Sequence, residues 1–243
     1  MKRTFRVLAL LLAASAARAN MNPFSQFSAR ARPESIKPFA LDLGGLLGSD
    51  VAHSGRTLGF PGFWAGVVGA AQARPGANDL ILRDAGVGAF GLPLIEVGVG
   101  LPFKTDVIVH GGSLDGARVY GGGLRVGLYR TDLVDVFLPN LSVSAFGDKV
   151  NDQFFSASHG SVNAAATWNV PILKPFFVAG YDVTKVTVGS ASAPGVAGMS
   201  ATARGSRFSA GVEAAPLPLV SLRAAYTVRH GISGLDLGAG VKF

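Results

Sequence analysis

The last nine residues, Leu235-Asp236-Leu237-Gly238-Ala239-Gly240-Val241-Lys242-Phe243, constrain the fold more than any other stretch. Apolar side chains hold every odd position and polar or tiny ones every even position, the two-residue period of a strand with one greasy face. The same period runs back through most of the chain. Ile95, Val97, Val99 and Leu101 oppose Glu96, Gly98 and Gly100, and Phe177, Ala179, Tyr181 and Val183 oppose Gly180, Asp182 and Thr184. Val220, Leu222, Ala224, Tyr226 and Val228 likewise oppose Ser221, Arg223, Thr227 and Arg229. A sheet of such strands must cover its apolar side, with a second sheet or with lipid.

Composition favours lipid. The 243 residues are 49% hydrophobic and only 15% charged, whereas soluble domains carry roughly 25% charge. Helical spans do not account for the excess. A spanning helix needs about 20 mostly apolar residues, and the uncharged stretches Thr57–Ala73 and Val186–Ala203 are broken by glycine and proline or diluted by serine. Backbone in lipid must satisfy its own hydrogen bonds, which leaves a closed barrel.

The N-terminus predicts export. Lys2, Arg3 and Arg6 precede an apolar run from Val7 to Ala14, and Ala17-Arg18-Ala19 forms a cleavage site. That order of features is a secretory signal peptide over residues 1–19. Its removal takes four of 22 cations and leaves 18 against 15 acids, so the net charge falls from +7 to +3. No Lys/Arg-rich run remains to form the footprint of a nucleic-acid binder. There is no cysteine, so no disulfide framework holds the exported chain.

Three regions follow: the signal peptide, an N-terminal periplasmic or lumen-inserted segment over 20–62, and a barrel over 63–243. Residues 39–47 suit a short helix ended by Gly48, and residues 53–63 read as a turn-rich loop. From Phe63 the alternation predicts an all-β closed antiparallel transmembrane barrel of ten strands, or twelve if Leu80–Phe90 or the N-terminal segment contributes more. The connections alternate in character. Those over 102–104, 131–140, 170–174 and 215–218 carry Pro102, Pro139, Pro171 and Pro218. The polar stretch 148–160 and the Gly/Ser/Ala run 189–205 fall in the other set, as long outer loops facing short periplasmic turns would. Trp168, Phe176, Phe177, Phe137 and Phe103 collect near the proline turns, as an interfacial girdle does.

No chemistry stands out. His53, His110, His159 and His230 lack metal-ligand spacing, and no G-x-S-x-G occurs. Ser158 and His159 sit near Asp148, Asp152 and Ser161, but adjacent strand residues point to opposite faces. No cofactor, metal or catalytic role is expected. The charges instead fall on the inward faces: Glu96, Asp106, His110, Arg125, Asp182, Arg207, Glu213, Arg223, Arg229, Asp236 and Lys242. Charges in that position must be paired or wetted, so the lumen is cross-linked by ion pairs or holds water. Glycine runs such as Gly121-Gly122-Gly123 and Gly86-Val87-Gly88 read as small residues facing a narrow lumen.

The period-2 strands over 63–243, the export signal and the terminal aromatic resemble those of bacterial outer-membrane β-barrels. The resemblance implies an outer-membrane location, lipid as a partner, and Phe243 as part of the signal read by the barrel-assembly machinery. The segment before the barrel, with Asn22-Pro23 near its start, is distantly similar to the hatch of long-chain fatty-acid transporters, which build larger barrels. Three functions stay open: a narrow passive channel or small transporter for small or apolar solutes, gated by residues 20–60; a closed structural or adhesion-type barrel acting through its outer loops; and a barrel-embedded hydrolase.

Overall fold

The computed structural model describes residue 24 and residues 26–49, 54–114, 116–129, 138–192 and 195–243. The signal peptide, Asn22-Pro23, His53 and Phe137 lie outside them. Ten antiparallel strands form one closed barrel: β1 (Phe63–Gln72), β2 (Phe90–Leu101), β3 (Thr105–Leu114), β4 (Ala117–Tyr129), β5 (Asn140–Asn151), β6 (Phe155–Thr167), β7 (Leu173–Val188), β8 (Ser200–Leu217), β9 (Val220–Arg229) and β10 (Ile232–Lys242). Each strand pairs with its sequence neighbours, and β1 pairs with β10 from Trp64–Lys242 to Gln72–Gly234. Closure leaves no open edge, the condition for strands in lipid.

Among the described residues three helices precede or interrupt the strands: α1 (Phe27–Arg30), α2 (Pro33–Ser49) and α3 (Leu80–Asp84). None of the described helices is long and apolar enough to cross a membrane. α3 lies between β1 and β2, so the 74–91 region is a loop with one helical turn and the strand count is ten. It starts at Asp79, whose side chain accepts from the Leu82 N–H, a standard N-cap. α2 is longer than the expected 39–47. Pro38 stands at the sixth position, inside the helix, where it forgoes one i→i−4 bond, and the helix runs through Gly44, Gly45 and Gly48 rather than stopping at them.

The outer surface carries the apolar faces. Ile95, Leu124, Val162, Phe208, Tyr226, Leu235 and Phe243 are each about half exposed or more. An even-stranded closed barrel with an outward apolar band is the architecture of outer-membrane barrels. The end where β1 starts and β10 stops is called the near end. Its turns hold the four prolines expected there, with left-handed backbone just after three of them at Phe103, Ile172 and Leu219. Proline donates nothing to a ladder and marks where pairing ends.

The other, far end corrects two expectations. The 148–160 stretch is not an outer loop: β5 extends to Asn151 and β6 begins at Phe155, because Val150, Phe155 and Ala157 bury inward. The 189–205 run shortens to 189–199, and Pro75 stands in the far-end β1–β2 loop, so proline is not confined to the near end. Phe176 likewise leaves the expected girdle. It is buried and inward, against Ala165, Val178 and Ala225.

Candidate functional site: a plugged lumen

The interior is built in tiers. At the near end Arg125 binds Asp106 through Nε at 2.8 Å and Nη2 at 2.7 Å, and the Leu58 N–H donates to Asp106 at 3.0 Å. Glu96 lies 3.5 Å from Arg223, whose guanidinium stacks 4.6 Å above the Trp64 ring. Lys242 lies 3.8 Å from Glu213. The chain before β1 follows this wall, with the Gly55 N–H on Thr167 and Ser142 donating to the Ser54 carbonyl. Between these groups is a cavity of about 20 Å³, room for one or two waters. Trp64 Nε1, Glu96 Oε2, and Nε and Nη2 of Arg223 are buried around it without a hydrogen bond, which fits a wetted pocket.

The middle tier strings histidines between carboxylates. His110 bonds Asp148, and His159 stands 3.9 Å from both Asp148 and Asp182. Asp182 takes both of its oxygens to Arg207 Nη1 at 2.9 Å and accepts from or faces His230 at 3.2 Å. Arg229 bonds Asp236, which also accepts from Thr227. All eleven sequence-expected inward groups therefore line the lumen, and ion pairs cross-link them. Sequence reasoning missed Asp148 and His159 by assigning them to a loop. Their signal was the alternation itself, which runs from Leu141 to Asn151 and resumes at Phe155, leaving only residues 152–154 for a turn. Ser158 faces outward, where Lys149 Nζ donates to it at 2.6 Å; His159 faces inward and bonds Thr184 at 2.9 Å. The two do not form a nucleophile–base pair. No metal-holding cluster occurs among the described residues.

The far tier is apolar, which a polar-lumen reading does not anticipate. Leu92, Leu94, Val119, Val150, Phe155, Val186 and Val188 bury inward. Helix α2 fills the space they enclose. Phe39 of α2 meets Phe155 with centroids 5.1 Å apart, and Phe24 and Phe27 complete the ring cluster. Aromatic edge contacts add about 0.5–1.5 kcal/mol beyond burial. α2 then descends toward the middle tier, where its glycines allow contact with the wall. A Cβ on Gly44 would collide with Thr184, one on Gly45 would press on Arg229 and His230, and one on Gly48 would overlap Arg207 and Asp182. Arg207 also stands at the negative end of the helix dipole. Residues 35–48 of α2 and the stretch 54–58 are thus mostly buried against the inner wall, whereas Phe60 is 70% exposed at the near end. Gly121 and Gly123 face the lumen beneath Asp148, His110 and Phe146, whereas Gly86 and Gly88 lie in the open β1–β2 loop.

Few polar groups tie the plug to the wall. Asp42 accepts from Gln72 Nε2 at 3.1 Å and the Gly76 N–H at 2.6 Å, and His230 Nδ1 meets the Leu41 carbonyl at 2.8 Å. Asp79 stands beside Asp42 in the same loop contact. Burial pushes its carboxyl up to about 8, the Leu82 N–H works against that, and the neighbouring Asp42 adds to the rise. A carboxyl raised in the folded state contributes stability that is complete below its unfolded value near 4 and disappears as pH climbs through about 8. The contact between α2 and the β1–β2 loop is therefore expected to loosen between about pH 4 and pH 8. Hydrogen-exchange protection across Pro33–Ser49, corrected for the intrinsic rate at each pH, should fall over that range. Asp79→Asn, which keeps an N-cap, should flatten the change.

No family model and no curated protein matches the chain. Solved structures similar to it include the N-terminal β-barrel domain of Pseudomonas aeruginosa OprF, at 13% identity and TM-score 0.35, covering 74% of this chain and 97% of that one. The translocator domain of the autotransporter NalP from Neisseria meningitidis is 14% identical, with TM-score 0.37 and coverage of 75% and 87%. The Acinetobacter baumannii outer membrane protein Omp33 is 11% identical, with TM-score 0.32 and coverage of 77% and 100%. The closed ten-strand assignment stands on this chain's own strand pairing.

Proposed function

We propose that the chain is an exported outer-membrane barrel whose lumen is shut by α2, and that it passes small or apolar solutes when that helix moves. The observation carrying this reading is the plug itself. A barrel needed only for structure can fill ten strands' worth of interior with wall side chains. Here the far half is filled instead by a separate helix, attached to β1 through residues 50–62 and held chiefly by apolar contact. Contacts without a dense polar network separate at lower cost than a buried ion-pair lattice. Behind the helix lies a polar tier, and in front an apolar one, so the path suits a solute that enters through greasy contact and leaves into water.

Orientation follows from the same features. The near end, with its proline turns and Phe243, faces the periplasm and the assembly machinery; the far end faces outward. The rival structural reading is supported by the buried ion pairs that cross-link the lumen, but it has little to act through. The far-end turns after β3, β5 and β9 are only two or three residues, and the 73–89 and 189–199 loops alone are long.

Planar-bilayer recording of the refolded chain tests the proposal. The intact protein should be closed most of the time, with rare steps. A chain lacking residues 20–49 should give frequent stepwise currents. Silence from both forms would remove the channel and leave the structural role.

A further inference from the structure

Strand charges divide by sign. Every strand carboxylate faces the lumen: Glu96, Asp106, Asp148, Asp182, Glu213 and Asp236 are all buried. Four strand cations face the other way. Arg118 on β4, Lys149 on β5, Lys185 on β7 and Arg204 on β8 are exposed on the outer wall, and no described carboxylate lies within ion-pair distance of any of them. All four sit toward the far end of neighbouring strands β4–β8. The outer faces of β9, β10 and β1–β3 carry no charge.

Strand register makes these residues one stripe. Lys149 lies opposite Tyr120 on one side and Ser158 on the other, Ser158 lies opposite Lys185, and Lys185 lies opposite Thr202. Arg118 is one diagonal step from Lys149, and Arg204 one from Lys185, each about 7–8 Å across the sheet. Toward the near end the same columns turn apolar, with Leu124, Val162, Tyr181 and Phe208 half exposed. The stripe therefore marks the edge of the greasy band, where long basic side chains lay their stems on apolar surface and raise their heads to the interface. A general interfacial belt would encircle the barrel. This one covers half, and four like charges with no described carboxylate in ion-pair reach call for an anion from outside.

We propose that the outer wall of β4–β8 binds the phosphorylated sugar headgroup of a glycolipid in the outward leaflet. The Arg118/Lys149 and Lys185/Arg204 pairs take phosphates, which basic side chains hold by charge-assisted hydrogen bonds. The hydroxyls between them, Ser158 and Thr202, and the phenol of Tyr120 meet sugar. This inference rests on the reading that the barrel spans the outer membrane with its far end outward.

The test uses the full chain reconstituted in phosphatidylcholine nanodiscs and titrated with a bisphosphorylated glucosamine-disaccharide lipid, with binding read by native mass spectrometry. The intact protein should retain the glycolipid, and the dephosphorylated lipid should be lost. Each interfacial cation is worth roughly fivefold in binding, so R118Q/K149Q/K185Q/R204Q should bind roughly six hundredfold more weakly. These residues touch neither the plug nor the lumen, and the variant should keep its heat-modifiable gel migration. Equal retention of phosphatidylglycerol would overturn the sugar assignment, and equal binding by the variant would overturn the stripe. An inserted, folded barrel that binds no glycolipid would sink this inference alone. A chain that stays water-soluble without lipid would sink the membrane reading beneath it as well.

Discussion

Replacing Gly48 by valine should open the barrel without unfolding it. The position lies one residue before the end of α2, and its missing side chain is what lets the helix reach the middle tier. Added carbon would overlap Arg207 Nη1 and Asp182 Oδ1, and both groups are locked in one bidentate pair. Neither can step aside cheaply, because moving the guanidinium strands the carboxylate in a dry interior. The wall belongs to a continuous ladder, whereas α2 is tethered at one end, so the helix is the part that yields. Overpacking of this kind costs about 3 kcal/mol at the upper end of its usual range. That is enough to shift a plug equilibrium more than a hundredfold, since about 1.4 kcal/mol is a factor of ten. Frequent current steps with unchanged heat-modifiable migration are expected in planar bilayers. Gly44→Ala should do less, because it meets the Thr184 side chain, whose hydroxyl is held by one bond to His159 rather than by an ion pair. If Gly48→Val leaves the protein as silent as before, α2 is not a gate.

Much of this arrangement was legible from residue order. The two-residue period placed all eleven charged or polar lumen groups on the inner face because pleating enforces that period regardless of partner. Phe63 as the first strand residue followed from the same rule. The plug was harder to see, since its cue is a breakdown of the pattern. In β1 and in Phe90–Leu94 nearly every position on both faces is apolar or tiny, and at Val186 and Val188 the inner face turns apolar as well, and such a run does not say what apolar object lies inside. Gly44, Gly45 and Gly48 look like helix breakers by propensity. Their use is close approach to Thr184, Arg229 and Arg207, a tertiary fact that overrides the local preference. Asp148 and His159 were hidden by their polarity. Polar residues at a strand end imitate a loop, and only the register between Asp148 and His159 across β5 and β6 shows that both side chains enter the lumen.

Asp182→Ala is the substitution expected to cost the barrel most. Its carboxylate is almost wholly buried and receives both bonds from Arg207 Nη1 while facing His230 and His159. Removing it leaves Arg207, itself 1% exposed, with the Asn163 amide as its remaining side-chain acceptor. An uncompensated buried guanidinium costs about 3–5 kcal/mol, a large share of a typical 5–15 kcal/mol total. Urea unfolding in lipid vesicles, followed by tryptophan fluorescence, should show the midpoint fall with little change in slope. Replacing both partners, as Asp182→Leu with Arg207→Met, should recover most of the loss, because a buried pair exchanged for apolar groups is often neutral or better. The pair also couples to the plug. Alanine at 182 removes one of the two groups that valine at 48 would strike, so the double variant should hold α2 in place better than Gly48→Val alone. A cycle with no coupling between 48 and 182 would mean that the helix end does not press on this ion pair, and that the middle tier seals the lumen by itself.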